Sequence, residues 1–254
     1  MQTFSYDSSA QEASLTEMNS ILETTLRKLP GGRVLDVAAG AGNFTAVMEN
    51  CFYDCSSITA IDTAEIPLTG MAERLQSKKI TTAVMSGALL AFRENSFNTV
   101  AISNSLHHLS NPGNVLREML RTLIPGGHFI IREMFRDGNQ TKAQMTHNLL
   151  HSWWAAVDSR NGIVHNQVFT KNELLEHAAS AGLVRMEFHT DHSHTDDPFD
   201  GPVLEFLNRK AEEYLQKASD YRELLLQGEL AVQHLNKHGF ANASALLATG
   251  VKPG

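Results

Sequence analysis

Arg33-Val34-Leu35-Asp36-Val37-Ala38-Ala39-Gly40-Ala41-Gly42-Asn43-Phe44-Thr45 is the stretch that decides the fold. A short apolar run ends in small residues, and a helical pattern starts at Asn43, whose side chain can cap the first turn. This reads as a strand, a tight turn and a helix. Gly40 and Gly42 let the backbone approach a ligand with no Cβ in the way, and the helix N-terminus behind them offers unpaired N–H groups. Asp36 lies inside the strand, four residues before Gly40. A buried carboxylate needs a partner. An anionic pyrophosphate is a poor one, and a ligand ammonium is a good one. Thr45 stands where the third glycine of the dinucleotide fingerprint would be. Both features disfavour NAD or FAD, so an NAD-dependent oxidoreductase is the least favoured enzyme class.

A second apolar strand, Ser57 to Ile61, ends in Asp62, 20 residues past Gly42. That spacing puts a carboxylate at the tip of the neighbouring parallel strand, where it can accept both hydroxyls of a ribose. The bland alternative is an N-cap for the helix that begins near Pro67.

The first stretch resembles motif I of the Rossmann-like S-adenosylmethionine (SAM)-dependent methyltransferases. It is nearest to the small-molecule group that includes the ubiquinone and menaquinone biosynthesis enzymes. Ala38 takes the place of that family's first glycine. Residues 85–98 resemble the family's Gly-Asp-Ala-x-x-Leu-Pro-Phe-x-Asp-x-Ser-Phe-Asp segment, with Ser86, Ala91 and Asn98 in place of its first acid, its proline and its last acid. The serine hydroxyl can bond an adenine edge, without the charge assistance of a carboxylate. The resemblance implies SAM as cofactor and S-adenosylhomocysteine as product. It also implies a cofactor-binding set of Asp36, Ala38, Gly40, Gly42, Asn43, Asp62, Thr63, Ser86, Gly87 and Asn104, with Tyr6 as a residue of an N-terminal lid.

The remaining chemistry is in the histidines. His107 and His108 follow the fourth strand, where the family has a similar Leu-His-His-Leu segment. His147 and His151 lie one turn apart on a helix spanning 139–158, next to Trp153-Trp154. Histidines at i and i+4 can share a metal, but the helix carries no third ligand nearby, so no metal is expected. All four are candidate general bases for an O- or N-nucleophile. The alternatives are loop hydrogen bonds for the first pair and plain packing, or a substrate-facing wall, for the second. Glu133, at the tip of the fifth strand, reads as either a substrate contact or a cap for the next helix. His189, Asp191, His192, His194, Asp196 and Asp197 form a polar run after the sixth strand.

The chain has 254 residues, 42% hydrophobic and 19% charged, which suits one α/β domain with additions. A net charge of −7 without a basic stripe argues against a nucleic-acid partner. No run of 18 apolar residues is present, so no membrane span is expected, and no signal-peptide pattern opens the chain. Cys51 and Cys55 read as free thiols, and the cytoplasm is the expected location. Residues 244–253 resemble the family's last strand, which makes 191–240 an insertion rather than a separate domain.

The expected fold is therefore α/β: a three-layer Rossmann-like sheet of seven strands, the last antiparallel, with a helical insertion between strands six and seven. It forms a single domain over 1–254, with a helical lid at 1–28 and a helical substrate cap from 139–168 and 191–240. The expected function is methyl transfer from SAM to the oxygen, nitrogen or carbon of a small molecule held in an enclosed pocket. The alternative is a SAM-fold protein that binds a ligand or uses the SAM site for other chemistry. Apolar faces on the 202–238 helices would permit a homodimer, and packing onto the core explains them equally.

Overall fold

The computed structural model describes residues 21–192 and 197–254. Seven strands form one sheet in the order β3-β2-β1-β4-β5-β7-β6. They are β1 (Gly32–Val37), β2 (Cys55–Asp62), β3 (Ile80–Val84), β4 (Phe97–Ser103), β5 (Leu123–Met134), β6 (Val184–Asp191) and β7 (Ala245–Val251). Strands β1 to β5 pair in parallel, and β7 runs antiparallel between β5 and β6. The seven-stranded sheet with an antiparallel last strand is the expected one.

Alternation along the strands divides the core into two layers. Leu35, Val37, Val100, Ile102, Phe129 and Ile131 face α4 (Pro112–Thr122) and α6 (Lys171–Ser180). On the other face, Val34, Ile58, Ala101 and Ile130 pack with α1 (Ile21–Leu26) and α2 (Asn43–Cys51). Helix α3 (Glu65–Leu75) covers Ala60 through Leu68 and Met71. Helix α6 opens with the capping box of Thr170 and Glu173, and α4 is capped by Asn111 with Pro112 next to it.

Helices α5 (Lys142–Arg160), α7 (Gly201–Lys217) and α8 (Arg222–His238) build a separate small core around Trp153, Trp154, Leu207, Ala211, Leu224 and Leu235. Gly228 lets α8 approach, because a Cβ there would stand 2.3 Å from the Trp153 ring. These helices leave the carboxyl ends of β5 and β6, the edge at which an open α/β sheet binds ligands. The outer side of the pair still exposes Phe206, Leu226 and Leu230. The expected lid at 1–28 lies largely outside the described residues, as do Tyr6, His194 and Asp196. Its described end, α1, buries Leu22 and Leu26 against α2. No described helix is long and apolar enough to cross a membrane. Cys51 and Cys55 are free and buried.

Candidate active site

Strand order reverses between β1 and β4, so the crevice opens beyond their carboxyl ends. Hydrogen bonds beyond the strand ends hold the tips level. The Ala39 N–H donates to Ile61 O (2.9 Å), that of Met85 to Asp62 O (2.9 Å), and that of Asn104 to Arg132 O (2.8 Å). The Ser105 hydroxyl donates to Ala38 O at 3.1 Å and closes the gap between β1 and β4. Ala38 and Asn104 both take positive φ, +56° and +46°, at facing edges of this crevice. The left-handed region at Ala38 explains why a glycine is the easier residue there.

The two glycines of the turn have different tasks. A Cβ on Gly40 would meet nothing within 4 Å, so this residue borders open space. A Cβ on Gly42 would lie 2.0 Å from the Met71 sulfur, and the residue is buried with φ +79°. Gly42 therefore serves the packing of α3 under the turn, because a side chain there would displace Met71. Asn43 does not cap α2. The N-cap is Gly42, without a side-chain bond, and the Asn43 amide oxygen instead accepts from Arg74 at 3.3 Å. Arg74 also donates to Ala41 O at 2.8 Å, tying α3 to the turn.

Asp36 is buried, and its carboxylate accepts from the Thr45 hydroxyl at 2.5 Å. Its partner is thus inside the protein, and Thr45 has the positive task of supplying it. Burial pushes the Asp36 carboxyl up to about 7; the Thr45 bond pulls the other way, and the charge of Asp62 adds to the rise. Asp62 accepts the Gly40 N–H on one oxygen (2.9 Å) and the Ala64 N–H on the other (2.9 Å). It does not cap α3, whose N-cap is Ala64. One lone pair on each oxygen remains, directed from a half-buried group at the strand tip. Thr63 and Ser86 are exposed beside it, and the Ser86 hydroxyl accepts the Ala88 N–H at 3.3 Å. Gly87 is required by close packing, since a Cβ there would stand 2.8 Å from Val37. Ile66, in the first turn of α3, and Leu89, in the loop after β3, are large apolar residues exposed beyond the ends of β2 and β3.

Glu133 neither faces the crevice nor caps a helix. It is fully buried and accepts from the Leu106 N–H (2.7 Å), the Met134 N–H (3.1 Å) and His107 Nδ1 (2.9 Å). These bonds fix the 3-10 turn Leu106–His108 behind β4. With the His107 proton assigned to Nδ1, its Nε2 carries a lone pair, and this buried atom has no partner among the described residues. Such a group costs about 1–3 kcal/mol when left unsatisfied.

His107 belongs to a group of four histidines. His108 comes from the same turn, His151 from α5, and His165 from the loop after α5. One ligand-capable atom of each lies within 4.8 Å of the others. His165 Nδ1 is held by Asp158 at 2.8 Å, and its Nε2 lies 3.2 Å from His151 Nδ1. The Asn166 N–H donates to His107 O (2.7 Å) and the Asn166 side-chain amide to Leu109 O (2.9 Å), which clips the His165 loop onto the turn. Desolvation pushes His108 down to about 3, with the neighbouring histidines adding to it, and lowers His151 and His165 from similar causes. His147 stands apart. Its Nδ1 accepts the Ala243 N–H at 3.0 Å, and burial pushes it down to about 3.

The helix thus supplies only His151, and the partners that its own sequence lacks come from elsewhere in the chain. His165 and the pairing of Glu133 with His107 were not legible beforehand, since no local pattern marks either. The polar run expected after the sixth strand starts within it, with His189 and Asp191 in β6, and does not gather into one site among the described residues. Asp191 is buried on Arg132 (2.8 Å), His192 bonds Ser244 (3.0 Å), and His189 faces Glu187 (3.7 Å).

Sheet order, glycine turn and strand-tip carboxylate together make a Rossmann-like arrangement similar to that of the class I SAM-dependent methyltransferases. Residues 35–131 match the methyltransferase domain family. The chain is 28% identical over 144 residues to the ubiquinone/menaquinone biosynthesis C-methyltransferase UbiE of Ectopseudomonas mendocina, covering 50% of this chain and 56% of that protein. The same enzyme of Shewanella sediminis is 32% identical over 108 residues, 41% of this chain and 43% of that one. The chain thus spans about half the length of the curated relatives it matches. Among solved structures, the 4+2 cyclase SpnF aligns with a TM-score of 0.60 and 22% identity over 92% of this chain and 80% of its own. Haemonchus contortus phosphoethanolamine N-methyltransferase 2, in complex with S-adenosyl-L-methionine, aligns with a TM-score of 0.55 and 18% identity over 92% of this chain and 52% of its own. At these identities the solved structures speak for the fold.

Proposed function

We propose that this chain transfers a methyl group from SAM to an oxygen, nitrogen or carbon of a small molecule. The observation that carries the reading is the switch-point crevice itself, in which Gly40 borders open space beside the carboxylate of Asp62. When bound, SAM supplies a methyl group already activated on a sulfonium. The chain's part is then to hold, align and dehydrate. Asp62 would accept the ribose hydroxyls on its remaining lone pairs. Ile66 and Leu89 would cover the adenine faces, and Ser86 would bond its edge. Asn104 would face the methionyl end. The residues present fit the cofactor, except that Ser86 offers no charge to the adenine.

The cap of α5, α7 and α8 would enclose the acceptor against water. Among the histidines, His107, His108 and His151 gather at the turn after β4, where burial leaves His108 and His151 too weakly basic to take a proton from a nucleophile. His147 is already engaged by Ala243. The reading is tested by incubating the chain with methyl-labelled SAM and a panel of small phenols, amines and quinols. Label transferred to one acceptor class supports it. SAM bound with no transfer to any acceptor favours the second reading, other chemistry at the same site. The fold shared with a protein described as a cyclase is the observation behind that second reading.

A further inference from the structure

We propose that His107, His108, His151 and His165 bind one divalent transition-metal ion, zinc or a first-row neighbour. Four imidazoles from three separate segments meet with ligand-capable atoms within 4.8 Å of one another. Ring centroids lie 4.2 Å apart for His107 and His108, 4.7 Å for His107 and His151, and 4.3 Å for His108 and His165. A hydrophobic core has no use for such a group, and only one hydrogen bond joins its members, that of His151 to His165.

The outer contacts have the form found around metal-binding histidines, in which a carboxylate holds the far nitrogen and sets the tautomer. Glu133 does this for His107 and Asp158 for His165, each at Nδ1. Both rings then present Nε2 lone pairs, and that of His107 is buried without a donor. The 3.2 Å between His165 Nε2 and His151 Nδ1 is close to the edge of a tetrahedron of nitrogens on one ion, about 3.3 Å for bonds of 2.0–2.1 Å. His108 and His151 are the two rings of the group that no carboxylate anchors. Asp158 is further fixed by the Tyr214 hydroxyl at 3.0 Å.

Charge and ligand type narrow the ion. All four donors are imidazole nitrogens, which suit zinc, cobalt, nickel, copper or iron and not magnesium or calcium, which want oxygen. The two carboxylates behind the rings balance a dication. Lys210, packed over Trp154 at 3.9 Å, opposes it from α7. His108, four residues after Asn104 at the crevice, is the one exposed member, so that side of the ion faces solvent.

The test uses the full chain, freed of metal with a chelator and titrated with Zn²⁺ by calorimetry and with Co²⁺ by visible absorption. The expected result is binding of about one ion per chain, with the intense visible band of tetrahedral nitrogen-ligated cobalt. His108→Ala and His151→Ala should each weaken binding by about 100-fold or more, and Asp158→Asn, which keeps the shape, by about 10–100-fold. Circular dichroism checks that the variants fold, and the cobalt spectrum of the unaltered chain stands even where they do not. No saturable binding, a weak octahedral cobalt spectrum, or equal affinity in folded His108→Ala and His151→Ala would overturn the proposal.

Discussion

Replacing Asp36 with asparagine probes the turn through its least comfortable residue. The carboxyl is buried, and its folded value of about 7 stands above the 3.8 of a free side chain. Below about pH 4 it is protonated in both states and costs nothing. Above that, the unfolded chain releases the proton while the native chain keeps it, so stability falls as pH rises towards 7 and then levels off. Between pH 5 and pH 8, roughly two pH units of this slope apply at about 1.36 kcal/mol each, a loss of about 3 kcal/mol from this one group. Asparagine can still accept from Thr45 but does not titrate. Any cost of its buried NH₂ is the same at both pH values and cancels in the comparison. Urea unfolding of both proteins at pH 5 and pH 8 therefore measures the Asp36 term alone. The variant should gain about 3 kcal/mol on the wild type from the lower to the higher pH. A pH-independent difference between the two would refute the burial argument.

Four further substitutions address the turn and the crevice. Ala38→Gly should raise stability by about 0.5–1 kcal/mol, because the left-handed backbone penalises alanine by more than glycine loses in chain entropy; a lower melting temperature would contradict this. Gly42→Ala should cost about 2–4 kcal/mol, since the new methyl meets Met71 in a left-handed backbone; thermal melting reads it, and wild-type stability would contradict it. Gly40→Ala should cost only about 1–2 kcal/mol of stability while weakening SAM binding, because its methyl projects into open space; unchanged affinity would remove Gly40 from the cofactor's path. Asp62→Ala should weaken SAM binding by about 1–3 kcal/mol in calorimetry, and wild-type affinity would rule out the ribose contact.

What was legible in the sequence follows from how local each signal is. The strand, glycine turn and spaced carboxylate lie within Arg33 to Asp62, so spacing alone could place them at neighbouring strand tips. The antiparallel last strand came with the resemblance, and residues 245–251 do pair between β5 and β6. What was not legible depends on contacts far apart in sequence. The packing task of Gly42 is set by Met71, from the next helix, in the space beside it. Glu133 at a strand tip looked like a site residue, but its partners are Leu106 and His107, on the turn after β4. The histidine group joins residues from 107 to 165, and no periodicity links them. Thr45 was read only for the glycine that it replaces, yet its hydroxyl is the partner of Asp36.

Calorimetric titration of the full chain with SAM and with S-adenosylhomocysteine tests the central claim most directly. The account predicts one site of micromolar affinity for each, weakened in Asp62→Ala. Absence of binding by both ligands to the folded chain would contradict it.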